Sequence, residues 1–382
     1  MALVQIRDML AHARHNGYAV GAFRIRGLEY LDGVLQAGER LHAPLILTLS
    51  AAPDGSRGLA ALMAAAEHAA AESPVPVALH LADCATPAEA TRGINRGCNS
   101  IGVILRHDAP HSDTRLARQV AGMAHACGVP VTAAMATPAG VEDARRFAED
   151  TGIDFLAIPD GSLGGVAEFL QGAGTPLNTP LCITGDQELD SALLSRLITH
   201  GVGRVDFDTV LTRAASAHLR RASTPGAASA GGPASGLRDT IAQAAEQCLE
   251  YCGCGGRAAE VLQHATPWAP VEHVIIYNVS GISEQDTEAM MAEGRRVLGA
   301  IPGVRRVVTG TAVKDKAAYK YCWIVTFVHP DVIDSYREHP AHVAFADNLF
   351  RPVAGERISI DYQTSRGQPP AQAKIMRRRN MR

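Results

Sequence analysis

Histidine and carboxylate side chains gather at a few points of this 382-residue chain: His80 with Asp83, the run His107-Asp-Ala-Pro-His111-Ser-Asp113, Asp160, Asp186, and Asp206 with Asp208 and Thr209. Most of them stand at or just beyond the end of a short apolar run, where a polar group can bind a small molecule or move a proton. The His107–Asp113 run carries the donor types of a metal site, but loop histidines so spaced are ordinarily solvated, and no metal is expected there. All four lysines, Lys314, Lys316, Lys320 and Lys374, come late in the chain, so imine chemistry is excluded from everything before them. The eight cysteines are scattered, and the closest pair, Cys252 and Cys254, lacks the CxxC spacing of a zinc knuckle, so reduced thiols are expected.

The elements that must position these groups follow from periodicity. Short β-rich runs alternate with helix-period segments: Tyr18–Phe23, Leu45–Ser50, Val75–Leu81, Ser100–Leu105, Val129–Met135, Phe155–Pro159, Pro180–Gly185 and Arg204–Asp208. Eight repeated βα units without a GxGxxG turn after the first strand predict an α/β fold, a closed (β/α)8 TIM barrel, with its chemistry in the loops after the strands. Residues 222–236 contain only Ala, Ser, Thr, Pro and Gly and read as a flexible segment. Leu237–Tyr251 reads as an amphipathic helix packed back on the barrel. From Val271 the order becomes strand, helix, two strands, two helices and a last strand, a small ferredoxin-like α+β domain. The expected division is 1–258, 268–365 and a basic, disordered tail at 366–382. A net charge of -3 gives no field for nucleic acid. No apolar run reaches membrane-spanning length, and charges interrupt any signal-peptide core in Met1–Gly17, so a cytoplasmic protein with no membrane partner is expected.

Gly17-Tyr-Ala-Val-Gly-Ala-Phe23, Ala43-Pro-Leu-Ile-Leu47, Pro76-Val-Ala-Leu-His-Leu81, Thr151-Gly-Ile-Asp-Phe-Leu-Ala157 and Asp208-Thr209 resemble, in order and interval, the class II ketose-bisphosphate aldolase family over about residues 1–258. That resemblance implies zinc on three histidines and an aspartate that transfers protons. Here the family's His-Leu-Asp-His reads His80-Leu81-Ala82-Asp83. The aspartate is therefore Ala82 and the first zinc histidine Asp83, while the other two align with Leu163 and Thr184. The phosphate loop reads Gly185-Asp-Gln-Glu188, whose carboxylates repel phosphate. No cofactor is expected, and zinc in particular is not. Asp208 and Thr209 match the family's substrate-proximal pair, with Asp206 in place of its asparagine; capping of the last barrel helix is the plainer role for the pair.

Val271-Glu-His-Val-Ile-Ile276, Ile301-Pro-Gly-Val304 and His339-Pro-Ala-His342 resemble the Dabb family, the stress-responsive dimeric α/β-barrel domain, over residues 270–364. The resemblance implies a homodimer through this domain. A plant polyketide cyclase of the family uses a tyrosine and a histidine six residues apart, positions held here by Tyr336 and His342; its third histidine is Tyr321. Histidine can take a carbon acid's proton and a phenol can hydrogen-bond the enolate. His273 is a further candidate for that cavity, and His339 and His342 have helix-start ordering as their structural role. Trp323 and Phe327 read as core or interface. Three functions stay open: a metal-free carbon–carbon lyase or aldol-type cyclase on a small carbonyl substrate, a catalytically inactive pseudo-aldolase serving as a binding or scaffolding dimer, and a zinc aldolase with unusual ligands.

Overall fold

The computed structural model describes residues 2–51, 57–105, 110–134, 141–159, 179–184, 191–223, 234 and 236–364. Eight parallel strands form a closed barrel in chain order: β1 (Val20–Arg24), β2 (Leu45–Ser50), β3 (Val77–Cys84), β4 (Ser100–Val103), β5 (Val131–Ala134), β6 (Phe155–Pro159), β7 (Leu181–Thr184) and β8 (Val202–Phe207). β8 closes on β1 with Val20 opposite Arg204 and Ala22 opposite Asp206. The strands are apolar because both faces are covered, by helices outside and by facing strands inside. Their outward side chains, such as Leu45, Leu47, Leu49, Leu81 and Ile101, are buried under the helices. The predicted helix is observed as Leu237–Cys252 and packs across helix Leu28–Leu41, where a Cβ on Gly33 would come within 2.7 Å of the Arg238 carbonyl.

Two elements were not foreseen: helix Ile6–His15, and helix Ala258–His264, which packs on it. The second occupies the stretch expected to link the domains. Residues 224–233, within the expected flexible segment, and the 366–382 tail lie outside the described residues.

A second sheet follows with antiparallel order β10-β11-β9-β12, made of β9 (Val271–Val279), β10 (Val304–Thr311), β11 (Tyr321–Phe327) and β12 (Ala354–Gln363). Helices Glu284–Leu298, Val332–Glu338 and Pro340–Phe345 cover one face, over a core of Tyr277, Trp323, Phe327, Phe345 and Phe350. Trp323 meets Phe345 and Phe350 edge-on, which assigns it to the core. The other face carries the cross-strand rows Val308–Ile324–Val274–Ile360 and Cys322–Ile276–Ile358.

This domain docks at the end of the barrel where the strands begin. Asn95, the last residue of its helix, donates to the Ile301 carbonyl (3.1 Å) and accepts from the Gly303 N–H (2.8 Å). Arg305 pairs with Glu67, and Trp268 stacks on His329 at 4.3 Å. Gly128 is left-handed (φ 72°), and a Cβ there would lie 2.4 Å from the Asp331 carboxylate, so only glycine serves both its backbone and this contact. Among the described residues no helix is long and apolar enough to cross a membrane.

Candidate functional site

Inside the barrel, inward-facing positions at mid-height are small or polar: Ala22, Thr48, His80, Gly102, Thr132, Ala157, Thr184 and Asp206. Barrel interiors are ordinarily filled by branched apolar side chains. The substitution opens a cavity of about 350 Å³ that runs up to Asp83 and Asp208. Arg204, fully buried below Asp206 on β8, donates to it from Nε (2.6 Å) and Nη2 (3.0 Å). At the mouth, Arg24 Nη1 donates to Asp83 (2.6 Å) and to Ser50, and its Nε lies 3.2 Å from Asp208. Arg26 Nη2 reaches both oxygens of Asp208, at 2.8 and 2.9 Å. Asp83 has φ 64°, beside an irregularity in the β3–β4 register, a strained backbone of the kind that collects at functional sites.

His80 is buried, with Nδ1 2.9 Å from Ser100 Oγ, and its ring lies over Gly102, where a Cβ would come within 2.8 Å of Nε2. Burial, reinforced by Arg204 and Arg24, holds the imidazole well below its usual pKa, so it is neutral at pH 7.

In the second domain, Asp361 Oδ1 lies 2.6 Å from His273 Nδ1 on the helix-facing side of the sheet. The His273 ring is 6.4 Å from Tyr336, which in turn contacts the His342 ring at 4.4 Å. His342 Nδ1 is 3.0 Å from the Arg337 carbonyl, an acceptor only, so Nδ1 carries the hydrogen and Nε2 keeps its lone pair. Burial lowers the His342 pKa and raises that of Tyr336, which leaves a neutral imidazole beside a protonated phenol at pH 7. His339 caps helix Pro340–Phe345 by accepting from the Ala341 N–H (3.2 Å), the helix-start role expected for it. His342 takes no part in that cap; it ties the helix back to Arg337.

Residues 4–257 match the family described as fructose-bisphosphate aldolase class-II. The chain belongs to the class II fructose-bisphosphate aldolase family. Residues 271–364 match the stress responsive A/B barrel (Dabb) domain. A fructose-bisphosphate aldolase of Giardia intestinalis is 31% identical over 183 residues, which are 44% of this chain and 57% of that protein. One of Thermus caldophilus is 32% identical over 192 residues, 46% of this chain and 61% of that protein. The chain thus spans about three fifths of the length of the curated relatives it matches. Two solved structures share the fold at 22% identity and TM-score 0.60: the YdjI aldolase of Escherichia coli K12, over 67% of this chain and 99% of that one, and a putative fructose-1,6-bisphosphate aldolase of Coccidioides immitis, over 66% and 96%.

Of the barrel residues singled out from the sequence, the fold gathers His80, Asp83, Asp206, Asp208 and Thr209 around one cavity. His107, Asp160 and Asp186 lie outside the described residues, as do the side chains of His111 and Asp113. Cys84 points away from the cavity and its thiol is buried, which raises its pKa. The capping role expected of Asp208 is corrected: it stands at the N-cap of helix Thr209–Ala222 but makes no side-chain cap bond, because Arg24 and Arg26 hold its carboxylate. Ala82 and Thr184 also line the cavity, and Asp83 is bound by Arg24. Among the described residues no three His, Cys, Asp or Glu side chains group as metal ligands.

Arg24, Arg26, Arg204 and Asp361 escaped sequence reasoning as site residues. An arginine two residues before Asp206 in the eighth strand was the one available signal. The Dabb cluster and the barrel mouth lie at opposite ends: β3 rises about 3.3 Å per residue, which puts Asp83 about 20 Å above the Val77 level near which the second domain docks.

Proposed function

We propose that the chain carries out metal-free aldol-type chemistry, as a carbon–carbon lyase or cyclase on a small carbonyl compound, at the Asp361–His273–Tyr336–His342 cluster of the Dabb domain. The observation that carries this reading is the His342 tautomer: with Nδ1–H committed to the Arg337 carbonyl, Nε2 is a free base beside the Tyr336 phenol. Nε2 takes a proton from the carbon next to the substrate carbonyl, and the Tyr336 O–H donates to the developing enolate oxygen. The enolate carbon then bonds to a second carbonyl carbon, whose oxygen recovers the proton from His342; cleavage runs the same steps backwards. His273, with Asp361 on its Nδ1, orients the substrate across the Tyr336 ring.

The zinc of the aldolase family does not fit this barrel. Of its family positions, Asp83 alone bears a ligand-type side chain, and that carboxylate is engaged by the Arg24 guanidinium, a cation standing close to where the metal's charge would be needed. The same ion pair favours a second reading, in which the barrel binds a ligand without transforming it. The Dabb domain would then pair two chains through the face bearing Ile358 and Ile360, which are 41% and 43% exposed in the single chain.

The test is deuterium incorporation next to the carbonyl of pentane-2,4-dione and dihydroxyacetone in D2O, followed by NMR. Exchange above buffer that falls about 100-fold in His342→Ala and about tenfold in Tyr336→Phe supports catalysis. No exchange by the unaltered chain, or equal exchange by the variants, moves the conclusion to the binding reading.

A further inference from the structure

The chain writes its basic positions as arginine 32 times and as lysine four times, and three of the four lysines, Lys314, Lys316 and Lys320, fall within one seven-residue stretch. Charge alone does not account for that choice, since arginine supplies it everywhere else. What lysine adds is a primary amine, which can lose its proton and attack an acyl carbon, whereas the guanidinium of arginine stays protonated.

The stretch is the turn between β10 and β11, and its backbone is pinned while its side chains stand in solvent. The Ala312 N–H donates to the Lys320 carbonyl (2.7 Å) and the Ala317 N–H to the Lys314 carbonyl (3.1 Å). From β9, Asn278 Nδ2 donates to the Ala318 carbonyl (2.8 Å), and its Oδ1 accepts from the Lys320 N–H (2.9 Å). The hairpin is thus held in shape although all residues from Thr311 to Ala318 are exposed, Val313 at 99%. It lies at the end of the sheet away from the barrel: β10 leads from Val304, next to the Gly303–Asn95 contact, to Thr311, roughly 24 Å off at about 3.4 Å per residue. The three amines are not equivalent. Lys320 Nζ lies 2.6 Å from Glu284, and that hydrogen bond holds the ammonium form and raises its pKa. Lys314 and Lys316 make no ion pair among the described residues, Asp315 between them included.

We propose that Lys314 and Lys316 are an acylation site, at which the side-chain amines take a short acyl group from an acyl thioester or an acyl phosphate. The Nζ lone pair attacks the acyl carbon and a C–N amide bond forms. The C–S or C–O bond to the donor breaks, the thiolate or phosphate leaves with that electron pair, and the proton shed by nitrogen passes to solvent. Each event removes one positive charge. With both amines acylated, the tip presents Val313, Ala312, Ala317 and Ala318, and Lys320 alone keeps a charge, which Glu284 neutralises. A basic hairpin becomes an apolar one.

The site does not rest on the chemistry proposed for the Dabb cluster. The experiment incubates the full chain at about pH 8 with acetyl phosphate in one arm and acetyl-coenzyme A in the other, and follows Lys314, Lys316 and Lys320 by peptide mass spectrometry. In at least one arm, which then names the donor, Lys314 and Lys316 should be acetylated about three- to fivefold faster than Lys320, the factor that an exposed ion pair supplies. Glu284→Gln should bring Lys320 up to the rate of the other two. Lys314→Arg with Lys316→Arg should abolish the fast uptake without moving the unfolding temperature, since neither amine pairs with the described protein. In the chain isolated from the cells that produce it, acyl groups should occupy Lys314 or Lys316. Lys320 labelled as fast as the other two in the parent, uptake in neither arm, or no acyl group on either lysine of the isolated chain would each overturn the proposal.

Discussion

Replacing Asp206 by Asn removes the counter-charge of Arg204 while keeping the size of the side chain. The two partners are unequally placed: the Arg204 side chain is 1% exposed and that of Asp206 23%. Breaking a buried pair from one side costs about 3–5 kcal/mol, because the remaining charge stays buried and uncompensated. Access of Asp206 to the cavity puts the expected value near the lower end, about 3 kcal/mol. Each kcal/mol moves the midpoint of a barrel this size by about 2–4 °C, so Asp206→Asn should unfold roughly 6–12 °C below the parent. Arg204→Met leaves a carboxylate that cavity water can reach, and should cost about 1–2 kcal/mol. The double variant, with no charge left to bury, should be more stable than Asp206→Asn alone. Thermal unfolding of the full chain at pH 7, followed by circular dichroism, measures all three. Equal midpoints for the two single variants, or a double variant as unstable as Asp206→Asn, would refute a buried, mutually dependent pair.

Deuterium exchange at the Dabb cluster should rise with pH and level off below the ordinary histidine value of about 6.5, because burial depresses the His342 pKa and the neutral form is the base; a profile still rising above pH 7 contradicts this. Ile358→Asp with Ile360→Asp should convert a dimer to a monomer by light scattering while leaving circular dichroism intact, since both side chains are half exposed in the single chain; an unchanged molar mass places the contact elsewhere. Chelator should change neither the unfolding temperature nor the exchange rate, and one tightly held zinc per chain by elemental analysis would contradict the reading of Asp83 as an arginine partner.

β2 and β6 have the bounds read from their periodicity, because a strand covered on both faces must be apolar throughout. The repeat count and the absence of a Gly-rich turn were enough for a closed barrel, since both are local records of which faces must be buried. The candidate site was legible in its residue types at the strand ends, and for Tyr336 and His342 through the resemblance to the Dabb family. Their partners were not legible. Arg24 meets Asp83 and Asp208, and Asp361 meets His273, across 88 residues of chain in the last case, through strand pairings that no local pattern encodes. Only tertiary structure sets Arg204 beneath Asp206 in a hollow interior and the Dabb domain at the far end of the barrel. Periodicity reports what each residue must hide from water, whereas register and closure decide which hidden groups meet.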